Sequence, residues 1–338
     1  MTDRPVQDPH PLAVAPPGAE RHLDAALPGD PREVGDAVTG DAAALSYESG
    51  LEIKARSQWA YARMRFMRHR LALGSLVVLL FIFGCGVFAN VIAPYTYQQI
   101  NLESLSQAPS HKHIFGTDSA GRDSFSRTLY GIRTSARVGI FVGILSTLIG
   151  TIIGGFAGFY GGWADNLLMR ITDLFLTLPL LAVLLTAAKY LGHSTPTKLA
   201  LLLAALIWTS IARVVRGSFL SLREKEYVEA ARAAGAGDLR IILRHMLPNT
   251  VGPIVVAATL TIGIAILLEA TLSFLGFGIE PPTPALGALL NEGQDQGIDK
   301  WWLVTFPGVV IVVIVLCINF VGDGLRDALD PTQRRLRA

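Results

Sequence analysis

No glycine in this chain is followed by lysine, so the G-x-x-x-x-G-K-[ST] loop that cradles nucleotide phosphates is missing. If the protein works with a nucleotide, another chain binds it. G-x-S-x-G and H-E-x-x-H are missing too, and the cysteines have no metal-ligand spacing, so an enzyme reading has almost nothing to stand on. There are only two cysteines, Cys85 and Cys317, and both fall inside apolar runs. That excludes a disulfide framework and reads as packed core thiols. Charge is scarce as well: 17% of the 338 residues are charged against 51% hydrophobic. The apolar residues gather in long uncharged runs, the signature of an integral membrane protein. The net charge of +2 says little, because acidic and basic residues are segregated along the chain.

Residues 1 to about 50 hold seven prolines and nine acidic residues against three arginines. With few large apolar side chains to bury, this tail should be disordered. The first apolar run begins only at Leu71, too late for a cleavable signal, so it should be a retained anchor. Six basic residues from Lys54 to Arg70 precede it, with no acidic residue after Glu52. Such a cluster places the N-terminus in the cytoplasm.

Six spans are expected: Leu71 to Ala93, closed by Pro94; Val138 to Tyr160; Leu167 to Leu191, kinked at Pro179; Leu199 to Val215; Val251 to Gly276; and Trp301 to Gly322. In the second span, Gly139 and Gly143, and Gly150, Gly154 and Gly158, form small-xxx-small ladders that let another helix approach, in the same chain or in a partner. Asp165 is a candidate helix cap, Trp163 an interface anchor, and Arg170 and Asp173 a pair three residues apart. Six spans with the N-terminus inside put residues 221–250 and the C-terminal tail in the cytoplasm. Basic residues agree, with seven Lys or Arg from Arg213 to Arg244 and only Lys300 in the loop Phe277 to Lys300. Lys112, Arg122, Arg127 and Arg133, in the loop Tyr95 to Arg133, run against the rule and are outvoted.

The long polar segment between two spans, Ser221 to Thr250, has a design of its own. Tyr227, Ala230, Ala231 and Ala234 recur at helical spacing as a small apolar face. Lys225, Glu229 and Arg232 are spaced for pairing on the exposed side. Gly235 should end this helix; a second basic helical segment, Leu239 to Met246, should then reach a turn marked by Pro248. The shape suits docking. Elsewhere Glu269, inside the fifth span, either lines a translocation path or gate or pairs with a neighbouring helix or backbone donor. Asn319 and Asp323 read as helix-end contacts. His111 and His113 read as solvated loop, because a metal set needs more donors.

EAARAAG followed by LP resembles the EAA motif of the membrane subunits of bacterial ABC importers, through Glu229, Ala230, Ala231, Gly235, Leu247 and Pro248. His245 stands where the broad motif has isoleucine, as in the dipeptide, oligopeptide and nickel branch. FGTDSAGRDSFSR at 115–127, EATLSFLGFGIEPPTP at 269–284 and GDGLRDALDP at 322–331 support that branch, although Leu286 replaces a tryptophan common in relatives. The resemblance implies an all-α integral membrane protein of the type I ABC importer permease fold. It divides the chain into a disordered cytoplasmic tail (1–53), a basic juxtamembrane segment (54–70), a six-helix permease domain (71–322, core 134–322) containing the coupling segment 221–250, and a cytoplasmic tail (323–338). It implies a permease for dipeptides or oligopeptides, or for nickel, glutathione or another small solute, in the bacterial cell membrane. The implied partners are a homologous permease, two cytoplasmic ATPases, an extracytoplasmic binding protein and lipid, with no nucleic acid. ATP and Mg would sit on the ATPases, and the chain would carry no cofactor or metal of its own. In relatives the EAA segment forms the helix that sits in a groove on the ATPase.

Overall fold

The computed structural model describes residues 58–192 and 195–329. The tail expected over 1–53 and the last residues, 330–338, lie outside the described residues. Among the described residues there is no strand, only an isolated antiparallel bridge between Thr117 and Asp123. The helices are α1 (Gln58–Arg68), α2 (Arg70–Val87), α3 (Ala89–Ile92), α4 (Ser124–Tyr160), α5 (Gly162–Thr177), α6 (Leu180–Leu191), α7 (Pro196–Arg223), α8 (Glu226–Ala233), α9 (Asp238–Ile241), α10 (Leu247–Phe274), α11 (Leu286–Asp295) and α12 (Trp302–Leu329). Among the described residues five helices, α2, α4, α7, the run Asp238–Phe274 and α12, are long and apolar enough to cross a membrane. The pair α5 and α6, bent by 84°, makes a sixth if it counts as one span. The described residues are all-α, as the resemblance implied.

α4 is the hub. A helix of 37 residues is about 55 Å long, well beyond the roughly 30 Å of hydrocarbon. The span expected from Val138 is therefore the second part of a helix that begins at Ser124. Asp123 caps it, its carboxylate accepting from the Ser126 N–H at 2.7 Å. Composition hid this start, because residues 124–137 are polar while their backbone is helical.

The glycine ladder of α4 sets how α7 lies. Ser146 donates to the Ala204 carbonyl at 3.5 Å. Further along, a Cβ at Gly150 would meet Trp208 and Ile211, one at Gly154 the Ala212 backbone, and one at Gly158 Arg216 and Phe219. Contacts advance by four residues on both helices at once, so α4 and α7 run parallel at backbone contact. Gly139 and Gly143 meet Ile266 and Ile262 of α10 in the opposite sense, so α10 is antiparallel to α4. The ladders serve packing inside this chain. Both cysteines join the apolar core around α2, α4, α10 and α12.

Several expectations are corrected. Asp165 does not cap α5, since Gly161 holds that position and Asp165 lies in the first turn. Asp173 pairs with Arg213 at 2.6 Å instead of Arg170, because α7 brings a long cation within reach. Pro179 breaks the helix outright, as a residue with no amide N–H and a fixed φ does. α7 reaches Arg223, past the limit expected at Val215. Pro248 marks no turn: it lies at the start of α10, directly after the π-helical residues 242–246, and the helix runs through it. The loop Phe277 to Lys300 contains α11, whose Leu286, Gly287, Ala288 and Leu289 are buried. α12 continues to Leu329, so residues 323–329 are helix rather than tail, and neither Asn319 nor Asp323 is at a helix end.

Candidate functional site

Residues 224–246 form a compact ledge at the end of α7. Lys225 opens α8 and Ala234 closes it; Gly235 follows at φ +82°, a conformation glycine adopts without steric cost. The N–H groups of Gly235 and Ala236 reach back to the carbonyls of Arg232 and Ala231, both at 3.0 Å, and α9 then starts a new direction. α9 runs through a π-helical stretch, Ile242–Met246, directly into α10.

Val228 anchors the ledge. It is fully buried among Phe219 of α7, Ile241, Met246 and Phe159, a burial that contributes about 1.5–3 kcal/mol. Ala231 and Leu247 pack against the same cluster, half-buried. Glu229, Ala230, Gly235 and Pro248 stay exposed, as do Tyr227, Ala233 and Ala234. The candidate residues thus divide into an inner set, Ala231 and Leu247, and an outward face. Among the described residues no ion pair joins Lys225, Glu229 and Arg232, so the charges spaced for pairing remain available. The part of the Tyr227 side chain that is covered pushes its hydroxyl up from the ordinary tyrosine range.

Glu269 lies 22 residues beyond Leu247, which at the helical rise is about 33 Å along the same axis. It is fully buried. Its Oε1 accepts from the Ser273 hydroxyl at 2.8 Å, and that hydroxyl accepts the Ile279 N–H at 3.2 Å. The carboxyl group also faces the Ser135 hydroxyl of α4. The carboxyl group therefore braces the turn that leaves α10 for α11, and no described residue brings it near the ledge.

At the opposite end of α4 from the ledge, four charges interlock. Arg127 donates to Asp118 at 2.8 Å and to both oxygens of Glu292 at 2.7 and 2.9 Å. Arg122 donates to the same two carboxylates at 2.7 and 2.8 Å. The network binds the loop before α4 to α11 and borders a cavity of about 20 Å³, room for about one water molecule. Nearby His113, expected in solvent, is buried, with Nδ1 2.8 Å from Asp123 and its ring stacked on Tyr95. His111 is exposed, and among the described residues no group of three potential metal ligands occurs.

Residues 150–335, more than half of the chain, match the family described as binding-protein-dependent transport system inner membrane component. The chain belongs to that family. Residues 57–109 match a second description, the N-terminal TM domain of oligopeptide transport permease C. The oligopeptide transport system permease protein OppC of Escherichia coli K12 is 41% identical over 291 residues, 86% of this chain and 96% of that one. Its namesake in Mycobacterium bovis is 39% identical over 276 residues, covering 81% and 94%. The glutathione transport system permease protein GsiD of Shigella flexneri serotype 5b is 42% identical over 279 residues, covering 82% and 91%. Among solved structures, an inward-facing form of the MetNI methionine ABC transporter aligns at a TM-score of 0.47 and 23% identity, over 59% of this chain and 94% of that one. The protein is a multi-pass permease subunit of an ABC importer, a family in which the ATPases are separate subunits.

The permease holds structural anchors of the candidate site and of the loop before α4 that sequence reasoning passed over. Val228 had a signal: it is the largest aliphatic side chain in a short helix of charged and small residues. The Arg122 and Arg127 network had one too, since basic residues that defy the charge rule are the ones a fold must neutralise locally. Asp118 and Glu292 do so from 4 to 170 residues away, and only the fold joins them.

Proposed function

We propose that this subunit forms, with a homologous permease, the translocation path for dipeptides or oligopeptides, and that residues 221–250 couple it to two cytoplasmic ATPases. In this reading the ledge, the N-terminus and the C-terminus face the cytoplasm, and the loops before α4 and around α11 face the binding protein. ATP and Mg belong to the ATPases. The observation that carries the reading is the split character of α8. Val228, with Ala231 beside it, ties it to the transmembrane core, while Tyr227, Glu229, Ala230, Ala233 and Ala234 point away from it. A small, flat, polar-edged helix of this kind suits a groove on another protein, where Glu229 would accept hydrogen bonds or pair with a cation.

Helix continuity supplies the mechanics. Closure of the ATPases around ATP would displace α8, and Val228 would pass the displacement to α7 and to Met246. From Asp238 to Phe274 the backbone is helical without interruption, so α10 would carry the motion to the region of Glu269. This is alternating access driven from outside the chain. The relatives named for oligopeptides support the peptide substrate. The relative named for glutathione keeps glutathione as a second reading, and nickel remains a further solute of the same branch.

The test is reconstitution with the partner permease, ATPases and binding protein, followed by a screen of peptides, glutathione and nickel for stimulated ATP hydrolysis. An Ala230→Cys variant should crosslink to one ATPase, whereas Ala231→Cys, turned toward the core, should crosslink poorly. Crosslinking absent at Ala230, Ala233 and Ala234 alike would sink the docking role.

A further inference from the structure

α5 carries one fully buried residue, Thr172, and leaves Leu167, Ile171 and Leu174 substantially exposed. Apolar packing within this chain therefore holds it weakly. Its strongest directed contact is electrostatic. Arg216 of α7 donates through Nε and Nη2 to the two carboxylate oxygens of Asp165, at 2.5 and 2.7 Å. Asp165 is 13% exposed and Arg216 35%, so the fork is partly shielded and stiff, unlike the open pair Asp173–Arg213, where both side chains are more than half exposed.

The position of this fork is what gives it a role. Arg216 lies two turns from the end of α7, about 10 Å along the axis, and α7 passes through Glu224 and Lys225 into α8. Phe219, one turn on from Arg216, buries Val228 of α8. Asp165 lies in the first turn of α5, which the break at Pro179 hinges against α6. We propose that the Asp165–Arg216 fork is a positioning link that carries displacement of residues 226–246 into the bent pair α5–α6. The inference rests on the coupling role assigned to residues 221–250. It adds that the bent pair moves because this fork pulls it, while its own apolar contacts would let it lag.

The assembled complex with both ATPases tests this, in a Cys85→Ser, Cys317→Ser background with Thr186→Cys on α6 as a maleimide reporter. In that reference, trapping with ATP and vanadate changes the labelling rate at the reporter about tenfold, within the range of allosteric couplings. Asp165→Ala and Arg216→Ala abolish the change while the ATPases still copurify and still hydrolyse ATP. Arg216→Lys, which keeps the charge and loses the fork, falls between, and the exchange Asp165→Arg with Arg216→Asp restores the response. A reporter that ignores nucleotide in the reference, an Asp165→Ala response equal to the reference, no recovery on exchange, or loss of assembly in the single variants each overturns the link. Failure of the broader coupling reading looks different: a Glu229→Ala, Gly235→Val variant would then transport and hydrolyse ATP normally, whatever the Asp165 variants do.

Discussion

Replacing Arg127 with methionine gives the sharpest test of how the loop before α4 is held. The side chain is 6% exposed and makes three charge-assisted hydrogen bonds, to Asp118 and Glu292. Breaking a buried pair by removing one partner costs about 3–5 kcal/mol, because the other charge stays buried. Here the orphans are not abandoned. Asp118 keeps Arg122 and the N–H groups of Ala120 and Arg122, each at 2.9 Å or less. Glu292 keeps Arg122 and is 24% exposed, so water reaches it. The loss should fall at the low end, about 3 kcal/mol. Arg122→Met, at a side chain 25% exposed, should cost about 1 kcal/mol, and the double variant should cost more than the sum, since each arginine covers for the other. The assay is the apparent melting temperature of the purified complex in detergent, where about 3 kcal/mol corresponds to a drop of roughly 6–12 °C for a domain of this size. Equal shifts for the two single variants, or none, would refute the view that burial decides which arginine holds the network.

Three further expectations follow from the same geometry. Gly154→Leu drives a side chain into the Ala212 backbone of α7 and should cost more than about 3 kcal/mol, the top of the overpacking range, since backbone yields less than side chains; yield and melting temperature of the complex would show it, and normal values would refute the parallel packing of α4 and α7. Gly235→Ala forces a Cβ into φ +82° at about 1–2 kcal/mol, too little to unfold the permease, so uptake per ATP should fall while insertion is unchanged; unchanged coupling in a Glu229→Ala, Gly235→Ala variant would contradict the docking role. Glu269→Gln retains an acceptor for Ser273, so assembly should persist while uptake changes; lost assembly with normal activity in the remaining complexes would mark Glu269 as a brace only.

The sequence by itself determined the class of this protein, the presence of several apolar crossings and the existence of the polar ledge. Those depend on local quantities: the length of an uncharged run, the spacing of alanines, a glycine where a helix must stop. It located Glu229, Ala230, Ala231 and Gly235 on a helix and its stop, and Glu269 inside a span. Tertiary structure alone decided what each polar residue does. Val228 became the anchor because Phe219, Ile241 and Met246 converge on it, and Asp165 became a fork partner because α7 passes beside it. The start of α4 was hidden because helical backbone needs only a cap and not an apolar run. No turn forms at Pro248, because the helix that starts at Asp238 continues through a π-helical stretch into α10. Arg122 and Arg127, which seemed misplaced, share Asp118 close by and Glu292 of α11, more than 160 residues away in sequence. Pairing at that range depends on how helices pack, and no local pattern records it.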